Sequence, residues 1–191
     1  MNKTTTLAAL VAAFAIAAPA AQAQISLEAR GSIQNPTGDF GDDATSEAGF
    51  AGTVFFNVSP RLSLYGGYGV ETFGCEGCND DDGYQSKGFE GGAKFILTPT
   101  PTGVLPWVRA GATFHDLEVE SGAFRATSDR KVGFQASAGV DIPLGQVLSF
   151  SPALRYQAYT AEFDVISDNI VAERDVAFLA LDFGVHIHPG G

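Results

Sequence analysis

The chain has 191 residues, with 22 Asp and Glu against 11 Lys and Arg and a formal net charge of −11. That balance, without any basic stripe, argues against nucleic acid as a partner. The 23 glycines and 15 phenylalanines beside a single Met and a single Trp suit strands and turns rather than a helical bundle, and the length fits one domain.

Residues 1–23 read as a secretory signal peptide. Lys3 supplies a positive start, Leu7 to Ala18 is an apolar stretch, and Ala21-Gln22-Ala23 is a small-residue cleavage site. The apolar stretch is too short for a membrane-spanning helix, which needs about 20 residues. The expected mature domain is 24–191, beginning at Gln24 outside the cytoplasm.

Alternating runs follow in order. In the first, Ile25, Leu27, Ala29 and Ile33 oppose Ser26, Glu28, Arg30, Ser32 and Gln34. Asn35 to Glu47 is an acidic, turn-rich loop. Phe50 to Val70 then forms a hairpin broken at Ser59-Pro60-Arg61, its bulky face carrying Phe50, Val54, Phe56, Val58, Leu62, Leu64, Tyr68 and Val70. Phe73 to Gly83 is a second acidic loop. Tyr84 to Leu97 sets Phe89, Gly91, Ala93, Phe95 and Leu97 against Glu90, Gly92 and Lys94, and Thr98 to Gly103 is a compact break.

Val104 to Val119 sets Val108, Ala110, Ala112 and Phe114 against Trp107, Arg109, Gly111, Thr113 and His115. Glu120 to Asp129 is a third polar loop. Arg130 to Ile142 alternates Val132, Phe134, Ala136, Ala138, Val140 and Ile142 with Gly133, Gln135, Ser137, Gly139 and Asp141, before a turn at Pro143 to Gln146. Val147 to Phe163 opposes Leu148, Phe150, Leu154 and Tyr156 to Ser149, Ser151, Arg155 and Gln157. Asp164 to Glu173 is the fourth polar loop. Arg174 to His188 alternates Ala177, Leu179, Leu181, Phe183, Val185 and Ile187 with Phe178, Ala180, Asp182, Gly184 and His186.

Long acidic connections follow runs one, three, five and seven, and short turns follow two, four and six. That alternation predicts an all-β, transmembrane, up-and-down antiparallel β-barrel of about eight strands. Backbone groups cannot stay unpaired in hydrocarbon, so such a sheet must close on itself. The bulky face then meets lipid, with Phe56, Phe95, Phe150 and Phe183 toward the short-turn rim and Phe50, Tyr68, Phe89, Phe114, Phe134 and Tyr156 toward the loop rim. The opposite face predicts an interior ion network of Glu28, Arg30, Glu71, Glu90, Lys94, Arg109, Asp141, Arg155 and Asp182 among glycines and serines. Buried charges need partners. Arg30 is expected near Asp182, and Arg155 near Glu71 or Glu90. In the competing arrangement, a soluble lipocalin-like barrel, nearly every aromatic would point inward and the solvent face would be largely Gly, Ala, Ser and Thr.

The signal peptide, the stretch PTGDFGDDATSEAGFAGTVFFNVSPRLSLYGGYGV and the closing LALDFGVHI together resemble the small outer-membrane β-barrel family that includes OmpA/OmpX-type and opacity-protein-like domains. The resemblance covers the whole mature chain. It implies residence in the cell outer membrane of a diderm bacterium, contact with membrane lipid and lipopolysaccharide, and biogenesis through periplasmic chaperones and the barrel assembly machinery. Such barrels usually end on an aromatic residue, whereas this chain ends Ile187-His188-Pro189-Gly190-Gly191.

Few constellations suggest chemistry. Cys75 and Cys78 are two residues apart in an exported chain, which favours a disulfide over free thiols or a redox or metal pair. Asp80-Asp81-Asp82 lacks calcium-loop spacing and reads as a solvated tip. His115 with Ser121 and Glu118 or Glu120 is the one set of the kind used by lipid A-modifying barrel enzymes, and a polar interior role for His115 is the better reading. Gly66-Gly67-Tyr68-Gly69 precedes no helix and is no nucleotide loop. The expectation is a monomeric, non-enzymatic protein without cofactor or metal, whose acidic loops serve adhesion or envelope stability. A narrow solute channel and a lipid A-modifying enzyme are the alternatives.

Overall fold

The structure is a computed structural model that describes residues 25–75, 83–121, 124–165 and 170–188. The expected signal peptide lies outside those residues. The chain forms β1 (Ile25–Thr37), β2 (Ala44–Asn57), β3 (Leu62–Cys75), β4 (Gly83–Ile96), β5 (Leu105–Ser121), β6 (Phe124–Thr127), β7 (Lys131–Pro143), β8 (Leu148–Val165) and β9 (Ile170–Ile187), with one 3-10 turn at Gly38–Phe40. Every strand pairs antiparallel with its neighbours. β1 pairs with β9 through Leu27↔Ile187 to Thr37↔Ala177, and the β4–β5 ladder completes the circuit. The eight long strands therefore form a closed barrel, and β6 is a short arm folded back on β5. No helix among the described residues is long and apolar enough to cross a membrane, which says nothing of a barrel.

Closure removes the two free edges that would otherwise expose unpaired N–H and C=O groups. Three tight connections occupy the rim where β1 begins and β9 ends. Around Ser59-Pro60-Arg61, Val58 N–H donates to the Leu62 carbonyl at 2.9 Å and Leu62 N–H to Ser59 Oγ at 3.1 Å. The other two contain Gly103 and Gly145, at φ 81° and 144°, a region that favours glycine.

The opposite rim differs from expectation. The four polar stretches are shorter as loops because the ladders run on into them. β1 and β2 leave only residues 38–43 of Asn35–Glu47 outside strands, β1 running on against β9 and β2 against β3, β3 and β4 extend to Cys75 and from Gly83, β6 occupies part of Glu120–Asp129, and β8–β9 pair as far as Val165↔Ile170. An antiparallel hairpin satisfies its own backbone groups, so nothing forces it to stop where the apolar surface stops.

Parity decides what each side chain meets. The aromatics expected on the lipid side all point outward, from Phe50 at 70% exposed to Tyr156 at 36%, with Phe150 partly covered. Tyr68 and Phe89 pack edge to face at 5.2 Å, and Phe134 lies 5.8 Å from Tyr156. The inward face departs from a simple glycine-and-ion lining. Phe55, Tyr65, Phe73, Trp107, Tyr159 and Phe178 are buried inside. Glycine is required where neighbouring backbones meet: a Cβ on Gly92 would lie 2.2 Å from the Ala110 carbonyl oxygen, whereas one on Gly31 would meet nothing within 4 Å.

Gly92→Val should therefore part the β4–β5 seam at a cost of about 3 kcal/mol. Unboiled electrophoresis should show the folded, fast-migrating band depleted for Gly92→Val and retained for Gly31→Ala; a Gly92→Val band as strong as wild type would contradict the seam.

Candidate functional site: the barrel lumen

All nine residues expected in the interior network are buried, and five carboxylates face four cations. Arg109, from β5, holds Glu28 of β1 through both terminal nitrogens, at 3.0 to 3.2 Å. This two-toothed geometry is the strongest available to a guanidinium and a carboxylate. Arg30 is the hub. Its Nη2 donates to Glu90 Oε2 at 3.1 Å, while Nε and Nη1 face Asp182 and Glu28 at 3.6 and 3.7 Å, within ion-pair reach but beyond hydrogen bonding. Arg155 joins Asp182, at 3.0 Å from Nε, to Glu71, at 3.2 Å from Nη1. Arg155 thus meets Glu71 rather than Glu90, whose other contacts are Thr53 Oγ1 and Gln135 Nε2.

Toward the short-turn rim, Lys94 Nζ donates to Asp141 Oδ2 at 2.7 Å. Asp141 Oδ1 accepts from Trp107 Nε1 at 2.9 Å and from Ser151 Oγ at 2.6 Å. The cations also lie against the inward rings. Lys94 Nζ is 4.6 Å from the Trp107 ring, and the Arg109 guanidinium is about 5 Å from Phe55, Tyr65 and Trp107 alike. Such contacts gain strength when water is excluded. Parity arguments found the charges but not this packing, because Phe55 and Tyr65 sit in runs where aromatics occur on both faces.

The two ends of the lumen differ. Below Asp141 opens a cavity of about 520 Å3 lined by Ser26, Asn57, Ser63, Lys94, Asp141, His186 and His188 together with Val58, Pro60, Ile96 and Leu105. At the loop end, Phe40 folds inward from the 3-10 turn and packs edge-on against Phe73 at 5.1 Å and Tyr84 at 5.5 Å, and Phe73 packs on Phe178 at 5.2 Å. Leu117, Tyr159, Ala161 and Val176 complete this apolar cap. Arg174 ties it down, bonding Asp43 and the Asp39 carbonyl while lying over the Phe40 ring.

The expected histidine set does not assemble. His115 points inward, and Glu118 and Glu120 belong to the outward side, where Glu118 receives Lys87 and Arg125. His115 Nδ1 instead lies 3.0 Å from Ser86 Oγ and 3.6 Å from Glu71 Oε2. A serine and a carboxylate on the same nitrogen cannot relay a proton, which needs one on each. A second set, Ser26–His186–Asp141, has Ser26 Oγ 2.9 Å from Nε2, but Asp141 is 4.0 Å from Nδ1 and already bound by Lys94, Trp107 and Ser151. Cys75 is disulfide-bonded; Cys78 and Asp80-Asp81-Asp82 lie outside the described residues. Among the described residues, no group of three or more His, Cys, Asp and Glu could hold a metal ion.

Removing Arg155 strands Glu71 and leaves Asp182 with only the longer Arg30 contact. Arg155→Met should cost about 3–5 kcal/mol, whereas Thr160→Ala, which breaks an exposed bond to Asp175, should cost less than about 0.5 kcal/mol. Equilibrium urea unfolding in lipid vesicles, followed by the fluorescence of the single, lumenal Trp107, checks both; equal midpoints for the two variants would refute the network's weight.

Residues 6–185 match the family model for the outer membrane protein beta-barrel domain. No curated protein sequence matches the chain. Among solved structures, Neisserial surface protein A superposes with a TM-score of 0.65 at 16% identity, covering 86% of this chain and 96% of that one. Outer Membrane Protein W of E. coli gives 0.58 at 11%, covering 87% and 97%. OprG of Pseudomonas aeruginosa gives 0.56 at 13%, covering 87% and 97%. At these identities the likeness shows the fold alone. With the family match spanning almost the whole sequence, the chain belongs to the outer-membrane protein β-barrel domain family.

Proposed function

We propose that this protein is a non-enzymatic surface component of the outer membrane, a sealed barrel that anchors acidic hairpins outside the cell for adhesion or envelope stability. One observation carries the reading: the lumen is occupied by its own side chains, the ion network along its length and the Phe40 cap at the loop end. Wide channels need about twice as many strands, and an eight-stranded interior is filled by side chains. The histidine geometries favour a non-catalytic barrel: His115 has its serine and carboxylate on one nitrogen, and the carboxylate facing His186 is 4.0 Å away and already bound by Lys94, Trp107 and Ser151. The cavity at the short-turn end favours the second reading, a narrow solute path, over only part of the length.

The short-turn rim, where β1 begins and β9 ends, faces the periplasm in this reading, and the hairpins face outward. The protein acts as a monomer inserted by the assembly machinery after export.

Two measurements test this. Purified wild-type protein in planar bilayers should give no steady single-channel steps, and Phe40→Ala should give none either, because the ions beneath remain; regular steps from wild type would overturn the sealed barrel. The exported protein should begin at Gln24 on N-terminal sequencing, and an intact Met1 would rule out cleavage.

A further inference from the structure

Four of the 11 Lys and Arg residues line the lumen, while Arg61 sits in a short turn. Three others, Lys87, Arg125 and Arg130, converge on one outward patch at the loop end of β4, β5 and β6. Their height is fixed by the lipid-facing rings. Phe89 pairs with Phe114 and Tyr68, and one register step beyond, Lys87 pairs with Asp116. A two-residue step along a strand is about 7 Å. The Arg130 guanidinium lies 5.7 Å from the Phe89 ring. The outward surface therefore changes from aromatic to cationic within about one headgroup layer.

The layering of charge decides what this patch presents. Lys87 Nζ lies 2.5 Å from Glu118, Arg125 Nε 3.1 Å from the same carboxylate, and Arg130 Nη2 2.5 Å from Asp116. The carboxylates are the covered partners: the Glu118 and Asp116 side chains are 9% and 11% exposed, against 31%, 66% and 44% for Lys87, Arg125 and Arg130. Two anions lie beneath and hold three cations that face outward. Among the described carboxylates paired with these three cations, Glu120, bonded to Arg125 and 44% exposed, is the one at the surface.

We propose that Lys87, Arg125 and Arg130 form a site for the phosphate of an outer-leaflet lipid headgroup. A phosphate monoester offers three acceptor oxygens to guanidinium forks and an ammonium. The covered carboxylates hold the cations in place, so little side-chain freedom is lost on binding. Phosphate displaces Glu120 from Arg125. The acyl chains lie below, against Phe89 and Phe114. This site rests on the proposed orientation, but its test reads headgroup binding in detergent, where neither orientation nor conductance enters.

The experiment is native mass spectrometry of the full mature chain, refolded in detergent and checked by its unboiled gel migration. The added lipids are bis-phosphorylated lipid A and the same lipid with its phosphates removed. Wild type should bind the phosphorylated lipid at least about tenfold more tightly, the worth of one charge-assisted hydrogen bond. Arg125→Ala/Arg130→Ala should lose that preference, and the control Arg61→Ala should keep it. Should the double variant fail to fold, Glu120→Gln, an exposed change that removes the competing carboxylate, should bind several-fold more tightly than wild type. Equal binding of the dephosphorylated lipid, loss of preference in Arg61→Ala, or unchanged or weaker binding by Glu120→Gln would overturn the site. Competition by inorganic phosphate at micromolar concentration would move the ligand from lipid to soluble ion and overturn the lipid assignment.

Discussion

An open strand edge in hydrocarbon carries a row of N–H and C=O groups with nothing to bond, and each would cost several kcal/mol. The pairing of β1 with β9 meets that constraint, and much of the remaining architecture follows from it. A closed sheet of eight long strands has one wall and two faces, so alternation along each strand commits every residue either to lipid or to a narrow interior. The interior is small enough for side chains to fill, and the wall is tight enough that Gly92 has no room for a Cβ.

Within the lumen two kinds of packing lie in series. The lower and middle parts hold carboxylates and cations in alternation: Arg155 of β8 meets Glu71 of β3 and Asp182 of β9, and Arg109 of β5 meets Glu28 of β1. The links from Arg155 to Glu71 and from Arg109 to Glu28 run across the barrel and tie strands that share no ladder. The upper part is a small hydrophobic core in its own right, with Phe40 brought down from a turn. Phe55, Tyr65 and Trp107 belong to the lower part, where Lys94 and Arg109 lie against their rings.

Much of this was legible in the sequence, for a physical reason. Strand side chains repeat with period two, so Glu28, Arg30, Asp141 and Asp182 announced their face without knowledge of any partner. The short turns were equally plain at Ser59-Pro60-Arg61 and around Gly145. What stayed hidden depends on contacts between distant segments. Phe40 sits in a stretch of Gly and Asp that reads as open loop, yet it buries itself because Phe73, Tyr84 and Phe178 offer it a pocket. Ladder ends were also obscure, because polar residues beyond the membrane pair as readily as apolar ones within it. His115 turned away from Glu118 and Glu120 because residues three and five apart on a strand face opposite sides.

The unequal ends of the lumen have a consequence for how its interior meets water. With the upper mouth stoppered by rings and the lower one widening into a cavity, the barrel is a cul-de-sac rather than a corridor. Protons, denaturant or deuterium reach Asp141 and Lys94 before Arg30, and Arg30 before His115. The same route serves for exit. Isotope exchange at these groups should form a gradient up the axis, its slow end under Phe40.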